Sequence, residues 1–142
     1  KPGIARGPYP GGRGYRLTTS SHGGAVVDWA ASVLAGDGST DEFYRRATAG
    51  KPGSPIFDFS EWRGVGMHQT SADFARSVVE RLSDEAAGLV RSLGVKLAGR
   101  HVWVAGGGSQ RALWVNGIAA RLGVPLRVTA AAPVLGAARM AL

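Results

Sequence analysis

An α/β fold is predicted by three features of this sequence. Val102 to Ala105 is a short apolar run with β-branched residues; three glycines follow at once, and Ala112 to Leu122 then places apolar groups at helical spacing. After Gly123-Val-Pro125, Leu126-Arg-Val128 supplies a second strand, which makes a βαβ unit whose strands run parallel by the right-handed crossover rule. Upstream, Phe74, Val78, Leu82, Ala86, Leu89 and Leu93 keep one helix face apolar from the capping pattern Thr70-Ser-Ala-Asp73 to Gly94. At about 1.5 Å per residue that helix exceeds roughly 30 Å, the expected buttress of the sheet.

The remaining elements follow in order. Residues 1–14 are rich in glycine and proline without periodicity and are read as an irregular opening segment, with the globular part starting at residue 15. Tyr15-Arg-Leu-Thr-Thr-Ser20 alternates as a strand does, and its partners are sought upstream. Ser21-His22-Gly23-Gly24 breaks the chain, and Val26, Val27, Trp29, Ala30, Val33 and Leu34 then form a helical pattern ended by Gly36-Asp37-Gly38. His22 beside glycines fits a ligand contact or a turn and cap, and the second is preferred. Ser39-Thr-Asp-Glu42 has the capping-box form, in which the Ser hydroxyl and the Glu carboxylate each satisfy the other's backbone donor. It opens a helix to Gly50 with Phe43 and Tyr44 packed. Lys51 to Pro55 is a second break, followed by the short apolar run Ile56-Phe57-Asp58-Phe59 and the loop from Ser60 to Gly66. Glu61, Trp62 and Arg63 there either line a cleft or belong to a connection whose Trp covers the core, the preferred reading. Asp84 and Glu85 are adjacent, hence on different helix faces, and are read as solvated surface rather than an acid/base pair. Val134 to Leu142 forms an apolar, alanine-rich helical pattern, with the segment from Pro133 packing back on the sheet. The absence of an initiating Met and of a terminal helix stop suggests an excerpt of a longer polypeptide, incomplete at both ends.

Composition narrows the function classes. The 142 residues suit one domain, and 44% hydrophobic with 19% charged content is ordinary for a globular protein. With no cysteine and three scattered histidines, neither a disulfide framework nor a zinc site is expected, and no metal ligand is assigned. No apolar run approaches the roughly 20 residues that span a bilayer, so no membrane association is expected and the cytoplasm is the expected location. The net charge of +7 raises the question of nucleic acid, but the arginines stand singly apart from Arg45-Arg46, no aromatics interleave with them, and nucleic-acid binding is not expected.

The glycine run, His101-Val-Trp-Val-Ala-Gly-Gly-Gly-Ser-Gln-Arg-Ala-Leu-Trp114, is the place for chemistry. Glycines allow positive φ and close approach of a ligand, and the following helix offers unpaired N–H groups and a positive dipole end for an anion or nucleotide. A tight strand-to-helix turn without a ligand fits the same spacing. A P-loop is excluded because no lysine lies beyond Lys96. A dinucleotide fingerprint counted from Gly106 and Gly108 meets Arg111 where a small residue is needed, and Leu126 to Ala132 lacks the ribose-binding acid.

Val104 to Trp114, then Ala119-Ala-Arg-Leu-Gly-Val-Pro-Leu126 and Leu135-Gly-Ala-Ala138, resemble the C-terminal domain of the FGGY carbohydrate kinases in order and spacing. Arg76-Ser-Val-Val-Glu80 and Arg63-Gly64 with Gly66 resemble that family's long helix and the segment leading into it, and Trp29 after Gly23-Gly24 resembles an earlier helix. The resemblance implies an actin-like, ribonuclease-H-like lobe of mixed sheet flanked by helices, one of two that close over ATP, Mg²⁺ and a sugar or polyol. It implies that Gly106, Gly107 and Gly108 lie against the adenosine end of the nucleotide, flanked by Ser109 and Arg111. The phosphate loop, the sugar-binding residues and the catalytic aspartate would lie upstream of a segment like Lys1 to Ser20, so no catalytic residue is assigned and the isolated chain is expected to be inactive. A homo-oligomer is compatible with this reading. Two rivals remain: a non-catalytic nucleotide-binding or regulatory relative, and a dinucleotide-dependent oxidoreductase fragment.

Overall fold

In the computed structural model, which describes residues 3–9, 11–53 and 55–130, the chain runs β1 (Ala5–Tyr9), β2 (Arg13–Leu17), α1 (Gly23–Leu34), α2 (Thr40–Ala49), β3 (Ile56–Phe57), β4 (Trp62–Arg63), α3 (Ser71–Ser92), β5 (Val102–Val104), a 3-10 turn (Gly107–Gln110), α4 (Ala112–Leu122) and β6 (Leu126–Val128). The fold is α/β, with parallel and antiparallel pairing both present. Among the described residues the strands form three two-stranded ladders rather than one continuous sheet. The helix expected from Val134 onward lies outside the described residues. Residues 21–85 form one compact unit, and the residues before and after them form a second, where the sequence pattern suggests a single body from residue 15 onward. The division reflects a separate core within 21–85.

That core is built from small and aromatic side chains. Ala30 and Ala31 of α1, Phe43 and Ala47 of α2, and Ala75 and Val78 of α3 are fully buried. Ser39 caps α2 as expected, its Oγ accepting from the Glu42 N–H at 3.1 Å. The return half of the capping box differs: Asp37 Oδ1, not Glu42, accepts the Ser39 N–H at 2.9 Å. Glu42 is drawn away by Arg45 and Arg46, whose guanidinium groups donate to it at 2.6 to 2.7 Å. Charge-assisted bonds of this kind outweigh a neutral backbone donor.

The long helix forms, with Val78 and Leu82 of the expected stripe buried; the buried face widens by one position to take in Ala75, Val79 and Ala87, while Phe74, Ala86 and Leu89 are half-buried. The small residues permit close backbone approach, which large ones would prevent. At the start of α3, Asp73 accepts the Thr70 N–H at 2.8 Å and the Thr70 hydroxyl at 3.0 Å, and its other oxygen accepts the Lys51 N–H at 2.8 Å. These bonds, led by the one from Lys51, hold its carboxyl below the usual carboxylate range.

Trp62 covers the core, as preferred from sequence: its ring packs 4.8 Å from Phe57 and 5.4 Å from Phe74, and Nε1 donates to Ser77 Oγ at 2.9 Å. The β3–β4 turn is tight. Asp58 Oδ1 accepts from the Ser60 and Glu61 N–H groups, and Phe59 takes φ +77°, a value uncommon outside glycine. The Phe59 ring is stacked 4.0 Å from His22 and lies 4.5 Å from the Arg81 guanidinium, contacts that offset its backbone cost. His22 stands at the N-cap position of α1 without a side-chain cap bond, because its Nδ1 is 2.7 Å from Glu85 Oε1. Glu85 is therefore paired rather than simply solvated.

In the second unit, β1 and β2 form an antiparallel hairpin with Gly7 opposite Tyr15. Residues 1–14, read as irregular, thus contain a strand. A side chain at Gly7 would lie 2.6 Å from the Tyr15 ring, so the glycine that hides the strand from pattern reading makes room for its cross-strand partner. The βαβ unit is as expected: β5 and β6 are parallel with Val102 opposite Leu126 and Val104 opposite Val128. Val115 and Ile118 bury one face of α4, and Gly123 ends it at φ +69°.

Candidate functional site

The glycine run sits where β5 gives way to α4, and each glycine is there for a different reason. Gly106 has φ +93° and ψ −178°, a conformation essentially restricted to glycine. Gly108 has no space for a side chain, since a Cβ would lie 2.5 Å from the Trp114 ring. Gly107 is limited by neither conformation nor packing, because a Cβ there would meet nothing within 4 Å among the described residues. It faces open space.

Between this run and α4 stands the 3-10 turn, so the glycines do not open the helix directly. The turn closes with Ser109 N–H donating to Gly106 O at 3.1 Å and Arg111 N–H donating to Gly108 O at 3.0 Å. Its i→i+3 pattern starts at Ser109 and leaves the N–H groups of Gly107 and Gly108 outside it. Ser109 is buried and its Oγ donates to Gly106 O at 2.7 Å, so the hydroxyl braces the turn and contributes to any ligand only through its position in the backbone. Arg111 is half-buried at the N-cap of α4, and its carbonyl accepts from Trp114 and Val115 at 3.0 Å. Gly106, Gly107, Gly108, Ser109 and Arg111 are therefore all parts of one braced turn. Trp114 is the residue whose part in that turn pattern reading misses; the spacing from Gly108 to Trp114 carries no familiar signal.

The arrangement leaves bare backbone accessible at Gly107. It offers no cluster for a metal: among the described residues, no group of three His, Cys, Asp or Glu is placed to hold an ion. Within residues 21–85 a cleft of about 470 Å³ is lined in part by Phe57, Asp58, Glu80, Arg81 and Asp84, none of them an expected site residue. Asp58 there is held down to about 2, first by the Ser60 hydroxyl and N–H and then by the Glu61 N–H. Its Oδ1 is thus committed to the turn and its Oδ2 to the Arg63 guanidinium at 2.6 Å. No helix among the described residues is long and apolar enough to cross a membrane.

The model of the FGGY family of carbohydrate kinases, C-terminal domain, matches residues 48–142, which include the long helix and the whole glycine turn. The chain belongs to this family. Among solved structures, the xylulose kinase from Rhodospirillum rubrum is similar, with a TM-score of 0.70 and 16% identity over 88% of this chain. That likeness bears on the fold, which is the actin-like lobe of the FGGY kinases. The chain spans 29% of the length of that kinase. No match is found among curated proteins. In the FGGY frame the glycine turn lies within the matched residues, whereas the β1–β2 hairpin and α1 precede them.

Proposed function

We propose that this chain is the nucleotide-binding portion of an ATP-dependent sugar or polyol kinase, residues 1–142 being part of its C-terminal domain. The observation that carries the reading is Gly107: set between a glycine required by its dihedral angles and one required by the Trp114 ring, it presents bare backbone, since a Cβ there would meet nothing within 4 Å among the described residues. A nucleotide laid on the turn makes use of that bare backbone. ATP, bound as its Mg²⁺ complex, brings the phosphoryl group that passes to a carbohydrate hydroxyl. The turn's residues contribute placement: Gly106 and Ser109 fix the backbone, Gly107 and Gly108 present it, and Arg111 borders it. Because positioning and charge neutralisation dominate phosphoryl transfer, a lobe of this kind contributes geometry rather than covalent chemistry. The sugar site, the general base and the oxygens that hold Mg²⁺ belong, in this reading, to the rest of the kinase, and the chain alone has no kinase activity.

Calorimetric titration with Mg-ADP, with NAD and sugars as controls, tests the reading. Saturable ADP binding is expected, lost in Gly107→Phe while the melting temperature stays within about 2 °C of the parent, since a Cβ there meets nothing within 4 Å among the described residues. Selective retention of NAD, or equal ADP affinity in Gly107→Phe, would refute it.

A further inference from the structure

We propose that Trp114 is a positioning residue for the glycine turn, its indole acting as a shelf that fixes where Gly107 is presented; the ligand half of this proposal rests on the nucleotide reading above. Gly108 lies directly on the ring: a Cβ there would be 2.5 Å from Cζ3, 2.8 Å from Cε3 and 3.3 Å from Cη2. Those are all atoms of the six-membered ring, so Gly108 Cα rests on that ring and not against the pyrrole edge. The main chain that carries the ring is itself anchored, because the Trp114 backbone N–H donates to Arg111 O at 3.0 Å in the first turn of α4 and the adjacent Val115 is buried.

Two further facts make this more than close packing. The turn is braced from within by Ser109, whose Oγ and N–H both donate to Gly106 O, so the ring and the serine together hold it at Gly106 and at Gly108. At Gly107, between them, a Cβ would meet nothing within 4 Å among the described residues. In addition, Trp114 Nε1 is buried and has no hydrogen-bond partner among the described residues. Buried indole donors are ordinarily satisfied, so an acceptor or ordered water is expected to complete this one, at the five-membered ring and away from the Cε3–Cζ3 edge that meets Gly108.

The test is a double-mutant cycle between Gly108→Ala and Trp114→Ala, read in two ways. Amide hydrogen exchange at Ser109 and Arg111 in nucleotide-free protein reports the turn, and calorimetry with Mg-ADP reports the ligand. Each single change is expected to speed exchange about tenfold and weaken ADP about tenfold. Gly108→Ala in the Trp114→Ala background is expected to add less than about threefold, because the ring it strikes is gone. Trp114→Phe, which keeps a flat six-membered ring, is expected to hold both readings within about threefold of the parent. Trp114→Leu replaces Trp114→Ala should the latter fail to fold. Additive effects of the two changes, or unchanged exchange in Trp114→Ala, would overturn the shelf. A parent that binds no ADP yet shows coupled exchange would instead overturn the nucleotide reading and leave the shelf standing.

Discussion

Replacing Gly50 by alanine should destabilise residues 21–85 more than a single methyl group ordinarily does. Gly50 follows α2 with φ −72° and ψ 150°, values any residue adopts, so the cost is steric alone. A Cβ there would stand 2.1 Å from Ala72 O, 2.6 Å from Ala72 C and 2.8 Å from Arg76 Cβ. The first two are backbone atoms of the opening turn of α3. That turn cannot easily give, because Asp73 binds the Thr70 N–H on one side and the Lys51 N–H, one residue past Gly50, on the other, each at 2.8 Å. Moving the helix away breaks the second bond; leaving it in place keeps the overlap. Overpacking in a well-filled core costs about 1–3 kcal/mol. Loss of a hydrogen bond to a charged group adds about 1.5–3 kcal/mol where it occurs. We expect a loss of about 3 kcal/mol, a fall in melting temperature on the order of 10 °C. Urea unfolding followed by near-ultraviolet circular dichroism, sensitive to Trp29 and Trp62 in the same unit, reads it directly. A Gly50→Ala protein within about 0.5 kcal/mol of the parent would refute the account of how α2 and α3 meet.

Other outcomes follow from the same geometry. Gly88→Ala, in the interior of α3 where a Cβ meets nothing within 4 Å among the described residues, should stabilise the protein by about 1 kcal/mol, read as a raised urea midpoint with an unchanged slope. Glu42 is held down to about 2 by bonds from Arg45 and then Arg46, and Asp58 to about 2 by the Ser60 hydroxyl and the turn N–H groups. Both folded-state values lie below the ordinary 4.5 and 3.8, so their contribution is complete above those values and is lost as pH falls through them toward 2. Melting temperature measured between pH 5 and about 2 should fall accordingly, and Glu42→Gln should flatten part of that fall; an unchanged slope in the variant would remove Glu42 from the account.

The elements visible in the sequence are those whose signals are local. The strand, glycine run, helix and second strand from Val102 to Val128 follow one another with no long-range partner needed to recognise them, and the βαβ unit forms with the parallel register expected. Ser39 is legible as a cap for the same reason. The carboxylate half of that cap is not, because the outcome depends on Arg45 and Arg46 competing for Glu42, a comparison of bond strengths that a four-residue pattern omits. The pairing of His22 with Glu85 joins residues 63 apart, and neither has a distinctive neighbourhood. The strand β1 is hidden by Gly7, which reads as a breaker but lies under Tyr15 in the register.

The glycine run shows the same limit at the site itself. As letters, Gly106, Gly107 and Gly108 are equivalent, and their spacing fits a bare turn as well as a ligand loop. In the structure they are not equivalent: the first is required by its dihedral angles, the third by the Trp114 ring, and the second by neither. A turn that merely reversed the chain would need two of the three. The middle glycine is therefore where turn and ligand loop can be told apart: under the nucleotide proposal, a side chain placed there should weaken binding without perturbing the fold. That separation is what Gly107→Phe exploits and what the same substitution at Gly106 or Gly108 does not provide, since both of those alter the turn before any ligand arrives.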